Sequence, residues 1–167
     1  HQSQPNINRW MTDYEQVIRA RAGNDRKGNR YITVKDPSSG KSKNLWHHKT
    51  FSRDAVSFVA FDKDPNIIYI RAYNENYLAI FKVNITDPEL KRELFFSLAN
   101  QDVEGSLIID YEKKSIIGIT NGDKGNIYFD NQVKGIQERL NKALPNTINR
   151  IHFVTDDKSQ FLLYSES

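Results

Sequence analysis

Few residues in this chain have types and spacing suited to chemistry, and most of them are acidic or carry imidazole. His47 and His48 are adjacent, Asp62-Lys63-Asp64 and Asp156-Asp157 each bring two carboxylates close together, and His152 lies in an apolar run. Neighbouring imidazoles suit a metal, but consecutive side chains of a strand point to opposite faces, so this pair cannot chelate together. Paired carboxylates suit calcium or glycoside hydrolysis. A calcium loop needs more oxygen ligands over a longer pattern than either cluster offers, and a glycosidase pair must face across a cleft. Both clusters fit turns better, because a turn aspartate accepts hydrogen bonds from backbone amides just downstream. His152 reads as a hydrogen-bonded, partly buried strand residue.

Other nucleophile and phosphate motifs are missing. The sequence has no G-x-S-x-G elbow, and the pairs Gly23/Gly28 and Gly122/Gly125 lack the spacing of a phosphate-cradling loop and read as hairpin turns. With no cysteine, disulfides, thiolate metal sites and a cysteine nucleophile are excluded. The sequence therefore assigns no catalytic, cofactor-binding or metal-binding residue. Arg71, Tyr73 and Arg150 fall at predicted strand ends, where side chains either line the mouth of a ring of sheets or are simply solvated.

The balance of charge is mild. Lys and Arg number 24 against 21 Asp and Glu, a formal +3, and they are interspersed. Nucleic-acid binders concentrate positive charge on one face. The densest basic cluster here, Arg19, Arg21, Arg26, Lys27 and Arg30, is interrupted by Asp25. No nucleic-acid partner is expected. No apolar run approaches the roughly 20 residues of a membrane helix, so no membrane partner is expected either. The polar start His1-Gln2-Ser3 reads as a boundary from which an export signal has been removed.

The elements that must position these residues follow one grammar: apolar strand, acidic turn, apolar strand. It recurs over residues 7–18, 56–70, 107–119 and 148–164, with turn aspartates at 13, 62, 110 and 156, so the spacings are 49, 48 and 46. A period of about 40–50 residues made of short strands is the signature of β-propeller blades. The expected fold is all-β. Consecutive four-stranded antiparallel blades over about 7–47, 55–98, 103–144 and 148–167 form about three and a half blades of an incomplete propeller, as one segment of 1–167. Thr12–Ala22 also admits a helix, with Tyr14, Val17 and Ile18 on one face, but the match with the last repeat favours strand–turn–strand. In the third repeat, Val133, Ile136, Leu140 and Leu144 recur at helical spacing and Pro145-Asn146 follows, which predicts a helix near 131–144 in place of the outer strand. Phe58, Phe61, Tyr69, Phe81, Phe153 and Phe161 fall inside predicted strands and are expected to pack between blades. An open arc leaves strand edges exposed. The segment thus reads as part of a longer chain, and isolated copies are expected to pair through those edges.

The stretch Asp62 to Ile70, then Tyr77 to Ile85, and the run from Phe129-Asp130 through Leu144-Pro145-Asn146 to Asn149-Arg150 and Asp156-Asp157 carry a resemblance. The chain resembles part of the N-terminal β-propeller of the prolyl oligopeptidase family of serine peptidases, which includes acylaminoacyl and dipeptidyl peptidases. The resemblance covers about residues 7–167, and it implies that the segment caps a separate α/β-hydrolase domain of the same parent chain. There it gates access so that peptides reach a Ser-Asp-His triad and folded proteins do not. No triad motif is present, so by itself the segment is expected not to be an enzyme and to need no cofactor. Its expected partners are the hydrolase domain and peptide substrate. Exported relatives point to the periplasm, and a cysteine-free chain fits the cytoplasm as well. The alternative is a propeller-type interaction or ligand-binding module similar to TolB or WD-repeat scaffolds, with no peptidase attached. A free-standing all-β ligand-binding domain with an accidental repeat is a third reading.

Overall fold

A computed structural model describes residues 6–155 and 160–166, apart from the side chains of 123 and 152–154. Asp156 and Asp157, and the side chains of His152 and Phe153, therefore lie outside the described residues. The described chain is all-β apart from one α-helix and a single 3-10 turn, and its antiparallel sheets have four, four, three and two strands, none closing on itself. It divides into two compact units, residues 1–103 and 104–167.

The N-terminal unit holds β1 (Ile7–Thr12), β2 (Ile18–Asn24), β3 (Arg30–Lys35) and β4 (Ser42–His48) in the order β1-β2-β3-β4, then β5 (Ser57–Phe61), β6 (Ile67–Asn74), β7 (Tyr77–Asn84) and β8 (Arg92–Phe96) in the order β5-β6-β7-β8. Each sheet is a meander in which neighbours in sequence are neighbours in space. Turn chemistry makes the meanders. Asp13 Oδ1 accepts from the amides of Glu15 and Val17, each at 3.0 Å, and Asp62 Oδ1 accepts from Asp64 at 3.1 Å. These bonds offer the backbone an alternative to helix. They resolve Thr12–Ala22 as strand, turn and strand. Val17 and Ile18, the apolar residues of the alternative helical face, are 50% and 39% exposed, while Met11 and Ala20 are buried.

The two meanders share one core. Ala20, Ile32, Val34 and Leu45 of the first pack in the same cluster as Phe58, Ile68, Ile70, Ala72, Phe81 and Val83 of the second. Alternation explains the choice: Ile68, Ile70 and Ala72 are two apart and so line one face of β6. The opposite face carries Tyr69, whose ring meets Phe95 edge-on with centroids 4.8 Å apart. β6 and β7 are buried on both faces, which is why their apolar runs are nearly unbroken.

In the C-terminal unit, β9 (Leu107–Asp110), β10 (Ser115–Thr120) and β11 (Asn126–Tyr128) form a three-stranded sheet, α1 (Asn131–Ala143) follows, and β12 (Ile148–Val154) pairs with β13 (Phe161–Glu166). The third repeat thus has three strands rather than the four of each sheet in the N-terminal unit. Asp130 explains the change, because its Oδ1 accepts from the amides of Gln132 and Val133 at 3.0 Å each and nucleates a helix where a fourth strand would run. Val133 and Ile136 seat that helix against Tyr128 and Ile151. A polar latch completes the joint. Asn149, 2% exposed, donates to Leu144 O and accepts from the Ser165 hydroxyl, while Gln137 donates to Asn149 O.

Of the six strand aromatics expected to pack between blades, Phe58, Phe61 and Phe81 are buried in the core shared by the two sheets, whereas Tyr69 is buried on the other face against Phe95 of its own sheet. Phe161 departs from that expectation. It is 39% exposed, because β13 lies at the edge of a two-stranded ribbon with little apolar surface to cover it.

Candidate functional site

Each sheet of the N-terminal unit has one end where its first strand begins and its middle hairpin turns. Pairing puts Ile7 opposite Gly23, Gly23 opposite Tyr31, and Tyr31 opposite His47, one row across the first sheet at that end. Ser57 pairs with Arg71, and Arg71 with Ile80, at the same end of the second. Between the two sheets lies a cleft of about 220 Å³. Its floor is apolar, made by Ala22, Ile32, Val56 and Phe58, and its rim carries Asn8, Arg9, Asn24, Arg30, Tyr31 and Ser57.

Several contacts hold this shape. Gly23 admits the chain entering β1: a Cβ there would lie 1.9 Å from the Asn6 carbonyl oxygen, which accepts from the Asn24 amide at 2.9 Å. Gly23 is therefore a strand residue selected by close backbone approach rather than a turn residue. Gly28, at φ +81°, does turn the β2–β3 hairpin. The Asn8 amide group donates to Asn24 Oδ1 at 2.6 Å. Arg9 Nη1 reaches the Phe58 carbonyl of the second sheet at 3.4 Å.

His47 and His48 leave β4 in different directions, as strand alternation requires. His47 Nε2 meets Asp25 Oδ2 at 2.9 Å. His48 Nε2 accepts from the Val56 amide at 3.1 Å while Nδ1 faces the Lys49 carbonyl at 3.1 Å, which clips the linker between the sheets. Among the described residues no three metal-ligating side chains gather.

The pair Asp62 and Asp64 is committed to a turn. Asp64 Oδ1 accepts from the Asn66 amide, and Asp62 Oδ2 accepts from the Tyr69 hydroxyl at 2.6 Å. Burial, together with that carboxylate, raises the Tyr69 pKa, so its phenol remains a donor. Asp110 Oδ1 accepts from the Lys113 amide at 3.0 Å, the same device in the third repeat.

Three further turn aspartates make stability depend on pH. The Asn29 side-chain amide holds the Asp25 carboxyl below the usual range, helped by His47 and nearby backbone amides. Asp36 is lowered by the Ser39 amide and hydroxyl, and Asp87 by the Glu89 and Lys91 amides. A carboxyl whose pKa is lower folded than unfolded stabilises the fold above the unfolded value, about 3.9 for aspartate. That contribution is lost as pH falls through the folded value. Urea midpoints should therefore be level between about pH 7 and 5 and drop below about pH 4, with Asp25→Asn flattening part of the drop. A midpoint that rises on acidification would contradict this.

The basic cluster disperses on folding. Arg19 is buried, Arg21 half-buried, and only Arg26, Lys27 and Arg30 are exposed. Arg19 Nη2 donates to Lys35 O at 3.1 Å and to Pro65 O at 2.9 Å, joining the two sheets. Its guanidinium also stands 4.9 Å from the Phe61 ring centroid. Burial lowers the Arg19 pKa, opposed by the carboxylates of Asp13 and Asp36.

Of the predicted strand-end residues, Arg71 lies half-buried within β6, one strand over from the rim residue Ser57, and Tyr73 is exposed with the Arg53 guanidinium 5.7 Å over its ring. Arg150 opens a second cleft, of about 520 Å³, within the C-terminal unit, where it pairs with Glu166 at 2.6 Å and donates to Gly122 O. Sequence reasoning passed over Arg9 and weighed Arg30 only within the basic cluster. One signal was available: Ile-Asn-Arg opens the first strand of both the first and the last repeat, at 7–9 and 148–150, and each arginine lines a cleft. Comparison of the chain with protein families, curated proteins and solved structures gives no match.

Proposed function

We propose that this chain is a non-catalytic β-propeller segment that gates peptide access to a separate α/β-hydrolase domain in a serine peptidase resembling the prolyl oligopeptidase family. The observation that carries the reading is the pair of four-stranded meanders stacked on one core, with identical strand order and matched acidic turns. Sheets of this kind cover one another's apolar faces when stacked, which is how repeat architectures gain stability. The helix at 131–143 followed by Leu144-Pro145 adds the more distinctive part of the resemblance. Gating is steric: a rigid arrangement of blades with a narrow mouth admits an extended peptide and excludes a packed globule.

The test uses the purified 167-residue chain with chromogenic aminoacyl and peptidyl substrates, alongside the downstream reading frame. The expected result is no turnover, together with a downstream α/β segment bearing G-x-S-x-G. Turnover abolished by a serine-reactive phosphonate would overturn the non-catalytic assignment. Further blades ending in a stop codon would favour a ligand-binding propeller module with no peptidase attached, a reading that the arginine-rimmed cleft also supports.

A further inference from the structure

We infer that the cleft between the two sheets of the N-terminal unit is a subsite for the free carboxylate of a peptide, with Arg9 and Arg30 as its anion-binding groups and the terminal side chain on the Phe58 floor. The inference deepens the peptide-handling reading above and rests on it. Arg9 and Arg30 both line this cleft, on the face of the first sheet that carries Ala22 and Ile32, and no residue lining the cleft carries a carboxylate. The Arg30 side chain is exposed and makes no hydrogen bond or ion pair among the described residues. Arg9 spends one N–H on a long, 3.4 Å bond to Phe58 O, which points it across the sheet boundary and leaves its other donors available. The nearest acidic group in sequence, Asp25, is committed to His47, Asn29 and the Lys27 amide, so it does not neutralise Arg30.

Guanidinium forks match carboxylates in geometry as well as charge, which favours arginine over lysine where a planar anion is recognised. Ser57, at the start of β5, closes the same rim. Size narrows the ligand. At about 220 Å³ the cleft lies below the roughly 300–1,000 Å³ of ordinary ligand pockets, which suits a single terminal residue. The apolar floor favours a side chain such as leucine or valine beside the carboxylate. Rigidity supports the assignment: the Gly23–Asn6 approach and the Asn8–Asn24 bond fix the rim from two sides.

The experiment is an amide-resolved NMR titration of the full chain with acetyl-Ala-Ala-Leu bearing a free C-terminus, its C-terminal amide, and sodium acetate. The free-acid peptide should shift the Gly23, Asn24 and Ser57 amides. The amidated peptide and acetate should each bind at least tenfold more weakly. Arg30→Gln, at an exposed position that leaves the fold intact, should weaken the free-acid peptide at least tenfold, and Arg9→Gln should act likewise with an unchanged spectrum elsewhere. Equal binding of acid and amide would overturn the carboxylate subsite while leaving peptide handling standing. Equal binding of acetate would reduce the cleft to a general anion site and overturn the peptide assignment. No shift at millimolar peptide, or full retention of binding in both variants, would overturn the site itself.

Discussion

Arg19→Met should destabilise the N-terminal unit by about 3 kcal/mol, in the range for removing a charged, buried hydrogen-bonding group whose partners stay behind. The size follows from what the side chain joins. Arg19 is 6% exposed, donates to Lys35 O in its own sheet and to Pro65 O in the other, and rests against the Phe61 ring. Methionine keeps much of the apolar contact but leaves both carbonyls without their donor and Asp13 without the guanidinium 3.8 Å away. Lysine keeps the charge but cannot fork between two carbonyls, so Arg19→Lys should lie between methionine and wild type. Both tryptophans, Trp10 and Trp46, belong to this unit, so their fluorescence in urea reports its unfolding directly. A loss under about 0.5 kcal/mol, the scale of an ordinary surface change, would mean that Arg19 does not tie the sheets together.

The second large effect is expected at Ile70. Its side chain is fully buried and belongs to the cluster shared by both meanders. Ile70→Ala removes three carbons from between two sheets whose backbones are fixed by their own ladders, so the space can collapse only partly. Substitutions of this kind cost about 2–5 kcal/mol, and a site between two ladders belongs in the upper half of that range. Leu94→Ala supplies the control. Leu94 lies on the outer strand β8, 49% exposed, and its loss should stay within about 0.5 kcal/mol. Comparable losses at the two positions, read from urea midpoints at constant m-value, would show that the shared core is not the main source of stability.

These two residues also mark how far the sequence could be read. Ile70 was legible. The turn Asp62-Lys63-Asp64-Pro65-Asn66 before it and Asn74-Glu75-Asn76 after it bound an apolar run, which places Ile70 in a buried strand, and local pattern suffices for that. Strand alternation correctly separated His47 from His48, and the turn reading holds for Asp13, Asp62 and Asp110, because their bonds to backbone amides span two to four residues. Arg19 was not legible. It sits in a visibly basic stretch, and its carbonyl partners lie 16 and 46 residues away in sequence. Only the stacked sheets bring them together.

The same limit governs the cleft. Arg9 and Arg30 belong to different strands, and their common rim exists because β1 and β3 flank β2 at one end of the sheet. The one local clue, Ile-Asn-Arg at 7–9 and again at 148–150, marks the start of a first strand without revealing the cleft. Gly23 was misread for a related reason. A glycine next to a hairpin resembles a turn residue until the Asn6 carbonyl is seen to occupy the space of its missing side chain. The helix at 131–143, by contrast, announced itself through its apolar spacing and the Pro145-Asn146 that follows, and it takes the place of an outer strand as expected; the Asp130 cap emerged only from the structure.

The proposed propeller requires the two meanders to fan outward like consecutive blades, with β1 and β5 innermost and β4 and β8 outermost. The chain has no cysteine, so pairs of spin labels can be introduced without background. Pulsed electron-spin resonance on Thr12→Cys/Val59→Cys (β1 and β5) and Asn44→Cys/Glu93→Cys (β4 and β8) compares the inner and outer separations directly. A blade arrangement predicts a clearly longer distance for the outer pair than for the inner pair. Equal distances would describe two sheets lying flat on each other as a sandwich, and the propeller, the gate and the peptidase kinship would all lose their footing.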